Sequence, residues 1–144
     1  MPSTQRTVFI VDDDPDFVEI MRQIFETDSG WKVTRTFNDI ESMLTLFTVN
    51  RAEARELIPD LMVVDLFASR LPPTELAPLT GYQAVLLLRD YGLQFGTLIV
   101  SSMSSPTMLS TLRSQHESGW SYLVKSANLT SKEILLAAEE ALIT

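Results

Sequence analysis

Leu61-Met62-Val63-Val64-Asp65 is an unbroken apolar run closed by a carboxylate, and its reading decides the fold. Three other runs end in the same abrupt way. Val8-Phe9-Ile10-Val11 ends in Asp12-Asp13-Asp14, Leu98-Ile99-Val100 ends in Ser101-Ser102, and Tyr122-Leu123-Val124 ends in Lys125. Short apolar runs rich in Val and Ile are expected of strands buried on both faces of a parallel sheet. In an open parallel sheet, chemistry collects outside the carboxyl ends of the strands. The four runs therefore deliver several carboxylates, a hydroxyl and an amine to one edge.

Outward from these runs, strand and helix signals alternate five times. The first strand is expected over Thr7–Asp13. Asp14-Pro15 then supplies an N-cap and a proline at the first helical position. Phe17, Ile20, Met21, Ile24 and Phe25 follow at helical spacing and predict a first helix over 15–28, stopped by Gly30. The second strand spans Trp31–Phe37. Asn38 or Asp39 caps a second helix carrying Ile40, Met43, Leu44 and Phe47 on one face, and Asn50–Glu56 extends it or forms a loop. After Leu61–Asp65, the segment Leu66–Thr80 contains Pro72, Pro73 and Pro78 and reads as a long loop. Tyr82–Tyr91 is the third helix, ended by Gly92. The fourth strand is Thr97–Ser101, and Ser105-Pro106 starts a fourth helix running to Glu117. The fifth strand is Ser121–Lys125, and Thr130-Ser131-Lys132-Glu133 has capping-box spacing for a fifth helix. Such alternation implies an α/β fold with helices on both faces of the sheet. Right-handed crossovers and five strands fit the flavodoxin-like order 2-1-3-4-5. The first and third strands are then neighbours, so Asp12, Asp13 and Asp65 converge.

Composition narrows the function. At 144 residues the chain fits one domain, 1–144, with a substantial core, and 45% hydrophobic content predicts that it folds. There is no Cys, which excludes disulfides, thiolate metal sites and a thiol nucleophile and agrees with a cytoplasmic setting. No apolar stretch approaches the roughly 20 residues that span a bilayer. The start, Met1 to Arg6, lacks the shape of a signal peptide. A net charge of −8 argues against direct nucleic-acid binding, which needs a basic surface. It is compatible with divalent cations and protein partners.

Carboxylates crowded together repel one another and favour a hard divalent cation held by oxygen ligands. An Asp beside such a cation is a plausible phosphoryl acceptor. Lys125 can pair with a phosphoryl oxygen as a point charge, and the Ser101 hydroxyl can donate to another.

With these residues in hand, the chain resembles a bacterial response-regulator receiver domain along essentially its whole length. The resemblance is carried by Val8 to Pro15, Pro59 to Leu66, Leu98 to Ser102 and Tyr122 to Lys125, in that order and spacing. It implies that Asp65 is the phosphoacceptor, supplied by a sensor histidine kinase in a Mg²⁺-dependent reaction. It implies that Asp13 binds Mg²⁺ directly, with Asp65, and that Asp12 acts mainly through water. The Phe67 carbonyl completes the protein ligands. It makes Ser101 the switch hydroxyl, with Ser102 the alternative, Tyr122 the switch aromatic and Lys125 the phosphate-sensing amine. Receivers of this kind signal, and can homodimerise, through the fourth helix, fifth strand and fifth helix. The ending from Lys125 to Ala138 looks like receivers joined to a helix-turn-helix DNA-binding domain, which would make transcription the output; the chain is then expected to be either a stand-alone receiver or the receiver part of a larger regulator. The chain departs from the pattern in a long Asp65–Gly81 connection, in Ser69 where a proline is common, and in a slightly long Ser101–Gly119 stretch.

The same residues admit other readings. Asp14 is a helix cap. The Asp12-Asp14-Asp16 spacing fails as a calcium loop, because Phe17 holds the turn-glycine position and Gln23 the twelfth. His116, the single histidine, is expected in solvent. Tyr122 also suits a half-buried structural role. The runner-up function is a small phosphatase of the haloacid-dehalogenase type with Asp12 as nucleophile; it leaves Asp65 without a role. A degenerate receiver serving only as an interaction module fits poorly with an intact acidic set.

Overall fold

The computed structural model describes residues 5–28, 30–49, 51–68, 80–102, 110 and 119–143. The elements are β1 (Arg6–Val11), α1 (Pro15–Thr27), β2 (Trp31–Phe37), α2 (Ile40–Val49), α3 (Arg51–Glu56), β3 (Leu61–Asp65), α4 (Gly81–Asp90), β4 (Gly96–Ser101), β5 (Trp120–Val124) and α5 (Ser131–Ala141). Apart from Ser110, the expected helix over 105–117 lies outside the described residues, as do His116, Met103, Ser69 and the prolines at 72, 73 and 78.

All five strands are parallel, in the order β2-β1-β3-β4-β5. This is the flavodoxin-like order expected from the alternation of elements. β1 and β3 are neighbours, with Val11 in register with Val64, so both chains leave the sheet side by side. Strand alternation sends side chains to two cores. Phe9, Val11, Met62, Val64 and Ile99 pack with Ile40, Met43 and Phe47 of α2 and Val85 and Leu88 of α4. Val8, Ile10, Leu61, Val63, Leu98 and Val100 pack with Met21 and Phe25 of α1 and Ile134, Ala138 and Ala141 of α5. Strands β3 and β4 are buried throughout, which is why they read as continuous apolar runs.

Local chemistry fixes the helix starts. The Asp14 carboxylate accepts from the Asp16 and Phe17 N–H groups at 3.0 and 3.4 Å, and Pro15 opens α1. Asp39, not Asn38, caps α2 by accepting from Ser42 N at 2.6 Å. Thr80 and Gln83 form a capping box at the start of α4, each side chain bonded to the other's backbone N–H. At α5, Thr130 Oγ1 accepts from Glu133 N at 3.1 Å, but it also donates to the Glu133 carboxylate, so this cap is not reciprocal. The polar segment after α2 forms the short helix α3. β1 stops at Val11, two residues earlier than expected, because Asp12 and Asp13 already turn toward α1. β5 likewise runs from Trp120 to Val124 and leaves Lys125 just beyond its end.

Candidate functional site

The carboxyl edge of the sheet gathers Asp12, Asp13, Asp65 and Lys125. β1 delivers Asp12 and Asp13, β3 delivers Asp65, and β5 delivers Lys125. Backbone bonds lock these ends in place. Asp12 N donates to Phe37 O at 3.0 Å, Leu66 N to Val100 O at 2.9 Å, and Lys125 N to Ser101 O at 2.8 Å.

Asp12 and Asp65 are buried, and Asp13 is exposed. Each offers a carboxylate oxygen, and these oxygens lie within 4.8 Å of one another. Lys125 spans two of them: its Nζ lies 2.7 Å from Asp12 Oδ2 and 2.9 Å from Asp65 Oδ2. The remaining oxygens are held by backbone amides. Asp12 Oδ1 accepts from Asp14 N at 2.9 Å, and Asp65 Oδ1 accepts from Phe67 N at 2.8 Å. The Lys125–Asp65 contact is a hydrogen bond. The Asp12 contact is a close, buried ion pair.

Burial pushes the Asp12 carboxyl above its ordinary pKa. Lys125 and the Asp14 amide pull it down and the nearby Asp65 charge pushes it up further, with a net rise. Burial alone would lower the Lys125 ammonium, but its bonds to Asp12 and Asp65 outweigh that and raise it. Lys125 is therefore the resident counter-ion of a crowded acidic site. A hard divalent cation fits the same donors: three clustered carboxylates, one of them exposed. Asp12, Asp13 and Asp65 would hold it; the carbonyl of the exposed Phe67 lies in the same loop.

The other expected site residues take different positions. Ser101 is fully buried at the end of β4, one residue past Val100, the register partner of Asp65. Ser102 is exposed. Tyr122 is half-buried and packs with the α2/α4 core, paired in register with Ile99. On strand alternation its side chain lies on the sheet face opposite that of Leu123, whose parity Lys125 shares. One participant was not singled out from the sequence. Phe17, read only as a core position of the first helix, places its ring 4.3 Å from Lys125 Nζ. Its signal was an aromatic residue in the first turn after the Asp14-Pro15 cap.

No protein-family model and no curated protein sequence matches the chain. Solved structures do. The signal receiver domain of the response regulator NarL from Mycobacterium tuberculosis is 23% identical, with 92% of each chain covered and a TM-score of 0.68. The response regulator domain of Thermotoga maritima CheB is 18% identical over 95% of this chain and 96% of that one, with a TM-score of 0.68. CheY in a CheX–CheY–BeF₃–Mg²⁺ complex from Borrelia burgdorferi is 17% identical over 92% of this chain and 85% of that one, with a TM-score of 0.65. Identities this low establish the fold: the chain has the fold of response-regulator receiver domains.

Proposed function

We propose that the chain works as a phosphorylatable receiver of a two-component system, with Asp65 as the acceptor. The observation that carries this reading is Lys125 bridging Asp12 and Asp65 beside Asp13, at the carboxyl edge of a receiver-type sheet. In this reading a carboxylate oxygen of Asp65 attacks the phosphorus of a phosphohistidine on a sensor kinase. The new bond is O–P, the N–P bond breaks, and the histidine nitrogen keeps the electron pair. Asp12, Asp13 and Asp65 would hold Mg²⁺ there, together with the Phe67 carbonyl. A cation held there would supply positive charge to offset that on the transferring phosphoryl oxygens. Lys125 pairs with one phosphoryl oxygen, and the Ser101 hydroxyl donates to another. Tyr122 follows Ser101 as the readout.

Phosphorylation acts here as local electrostatics biasing a two-state surface. That surface is the segment before β5, β5 itself and α5, through which the protein homodimerises or meets its target. The reading implies a cytoplasmic location and, by likeness to receivers joined to DNA-binding domains, an output in transcription. The protein is a switch that gains and loses its own phosphoryl group, not an enzyme acting on free substrates.

Treating the chain with acetyl phosphate and Mg²⁺, then locating the added phosphoryl group by mass spectrometry, tests the proposal. Modification at Asp65 is expected. Modification at Asp12 would replace this reading with that of a haloacid-dehalogenase-type phosphatase.

A further inference from the structure

Among the described residues, Lys125 Nζ has three close partners. Two are the carboxylates of Asp12 and Asp65, and the third is the face of the Phe17 ring, 4.3 Å from Nζ. The Lys125 side chain is only 16% exposed, so the ammonium has given up most of its water. A cation over an aromatic face is attracted by the ring quadrupole, and more strongly once desolvated.

The first turn of α1 explains why the ring is there. The Asp14 carboxylate accepts from Phe17 N, and Pro15 sets the helix direction immediately after the Asp12-Asp13 turn. Side chains on a helix tilt toward its N-terminus, here toward the strand ends. Phe17 therefore leans over the site from above, while its flank packs with the α1/α5 core.

The three partners differ in one respect. A divalent cation bound by Asp12, Asp13 and Asp65 competes with Lys125 for the carboxylates, because the same oxygens cannot fully neutralise both charges. The Phe17 ring is uncharged and competes for nothing. It is the one contact whose pull on the ammonium persists when the carboxylates are engaged elsewhere.

We propose that Phe17 is a positioning residue that keeps the Lys125 ammonium at the mouth of the acidic site through its ring face. The inference rests on the reading of Asp65 as phosphoacceptor, because Lys125 held there is aimed at the phosphoryl group that Asp65 would carry. Phe17 acts through Lys125, the group its ring faces.

The test uses the full chain with Phe17 replaced by phenylalanine analogues carrying three and five ring fluorines, by Leu and by Trp. Fluorination drains the ring quadrupole while keeping its apolar shape, so a merely space-filling role would not respond. Initial rates of Asp65 labelling by acetyl phosphate with Mg²⁺ are expected to fall stepwise with fluorination. The fall should reach roughly five- to thirtyfold in the five-fluorine analogue and in Phe17→Leu, with recovery in Phe17→Trp. The ε-methylene proton shift of Lys125, displaced by the ring current, should collapse toward the free-lysine value in Phe17→Leu and stay displaced in Phe17→Trp. Native labelling rates in the five-fluorine analogue would overturn the inference, as would an unchanged Lys125 shift in Phe17→Leu. If the native chain is not labelled at Asp65 at all, the receiver reading falls instead. The Lys125 shift then decides alone whether Phe17 holds the ammonium.

Discussion

Gly81 and Asp65 meet backbone to backbone: a methyl group on Gly81 would lie 2.7 Å from the Asp65 carbonyl oxygen and 2.5 Å from Val64 Cγ1. Gly81 N also donates to Leu66 O at 2.9 Å. The long connection after β3 thus returns to within touching distance of the residue that starts it. The first turn of α4 clamps the strand end that carries Asp65.

Gly81→Ala should therefore destabilise the protein by about 1–3 kcal/mol, the usual cost of forcing a methyl group into filled space. Urea unfolding checks this through a lower midpoint at unchanged slope. A midpoint equal to that of the native chain would mean that α4 slides outward without penalty and is not a clamp.

Asp65→Asn should abolish phosphodonor labelling while leaving the fold intact. The amide oxygen can still accept from Phe67 N, and Lys125 keeps Asp12 as a counter-ion. Removing one of three crowded carboxylates also eases their repulsion in the metal-free protein. Folding stability should stay within about 1 kcal/mol of the native value. Full labelling of the Asn variant would remove Asp65 from the acceptor role.

Much of this site was legible because strands buried on both faces announce themselves as apolar runs, and the residue that ends each run is the one the sheet edge presents. Asp12, Asp13, Asp65 and Lys125 were found that way, and the strand order followed from element alternation. Contacts made across the fold leave no such mark. Arg89 reads as an ordinary polar helix residue, yet its guanidinium donates to Phe95 O, Thr97 Oγ1 and Gly119 O and lies 4.4 Å from the centre of the Trp120 ring. It ties the end of α4 to the starts of β4 and β5. Phe17 escaped for the same reason: helical spacing assigns it to a face, and only tertiary packing sets it over Lys125. β1 and β5 stop before Asp13 and Lys125, an end the sequence does not mark, because Asp12, Asp13 and Lys125 follow apolar runs without a Gly or Pro.

Magnesium should stabilise the folded chain by RT ln(1 + [L]/Kd), about 1.4 kcal/mol at ten times Kd. Asp13 is the exposed member of the acidic trio, so Asp13→Ala should change metal-free stability by no more than about 0.5 kcal/mol. It should remove most of the Mg²⁺-dependent rise in Tm. A full rise in this variant would show that the cation binds without Asp13.

The pH dependence of the metal-free protein follows from Asp12. Its carboxyl is raised first by burial and then by the Asp65 charge, so the folded state holds this proton more tightly than the unfolded chain does. The stability it contributes is full below the ordinary carboxylate pKa and is lost as pH rises through the raised folded value. Asp12→Asn should flatten this decline between acid and neutral pH. Chemical unfolding of both proteins across that range, without divalent metal, measures the slope. Equal slopes would mean that Lys125 and the Asp14 amide fully compensate the buried charge.

The last expectation concerns how long a phosphorylated Asp65 would survive. Hydrolysis needs a water in line with the bond between Asp65 and phosphorus. In the receiver reading, the residue two beyond the acceptor flanks that approach; here it is Phe67. Phe67 has just over half its surface exposed, and its backbone N–H is already committed to Asp65 Oδ1. Its side chain offers no strong hydrogen bond with which to orient a water. Autodephosphorylation should accordingly be slow, suited to a lasting response. Phe67→Asn places a donor and an acceptor at the approach and should speed decay roughly tenfold, which corresponds to a barrier lowered by about 1.4 kcal/mol. The measurement is loss of phosphorylated protein after removal of the donor, with Mg²⁺ present. Decay of the native chain within seconds, or no acceleration in the Asn variant, would show that the residue two beyond the acceptor does not set the lifetime.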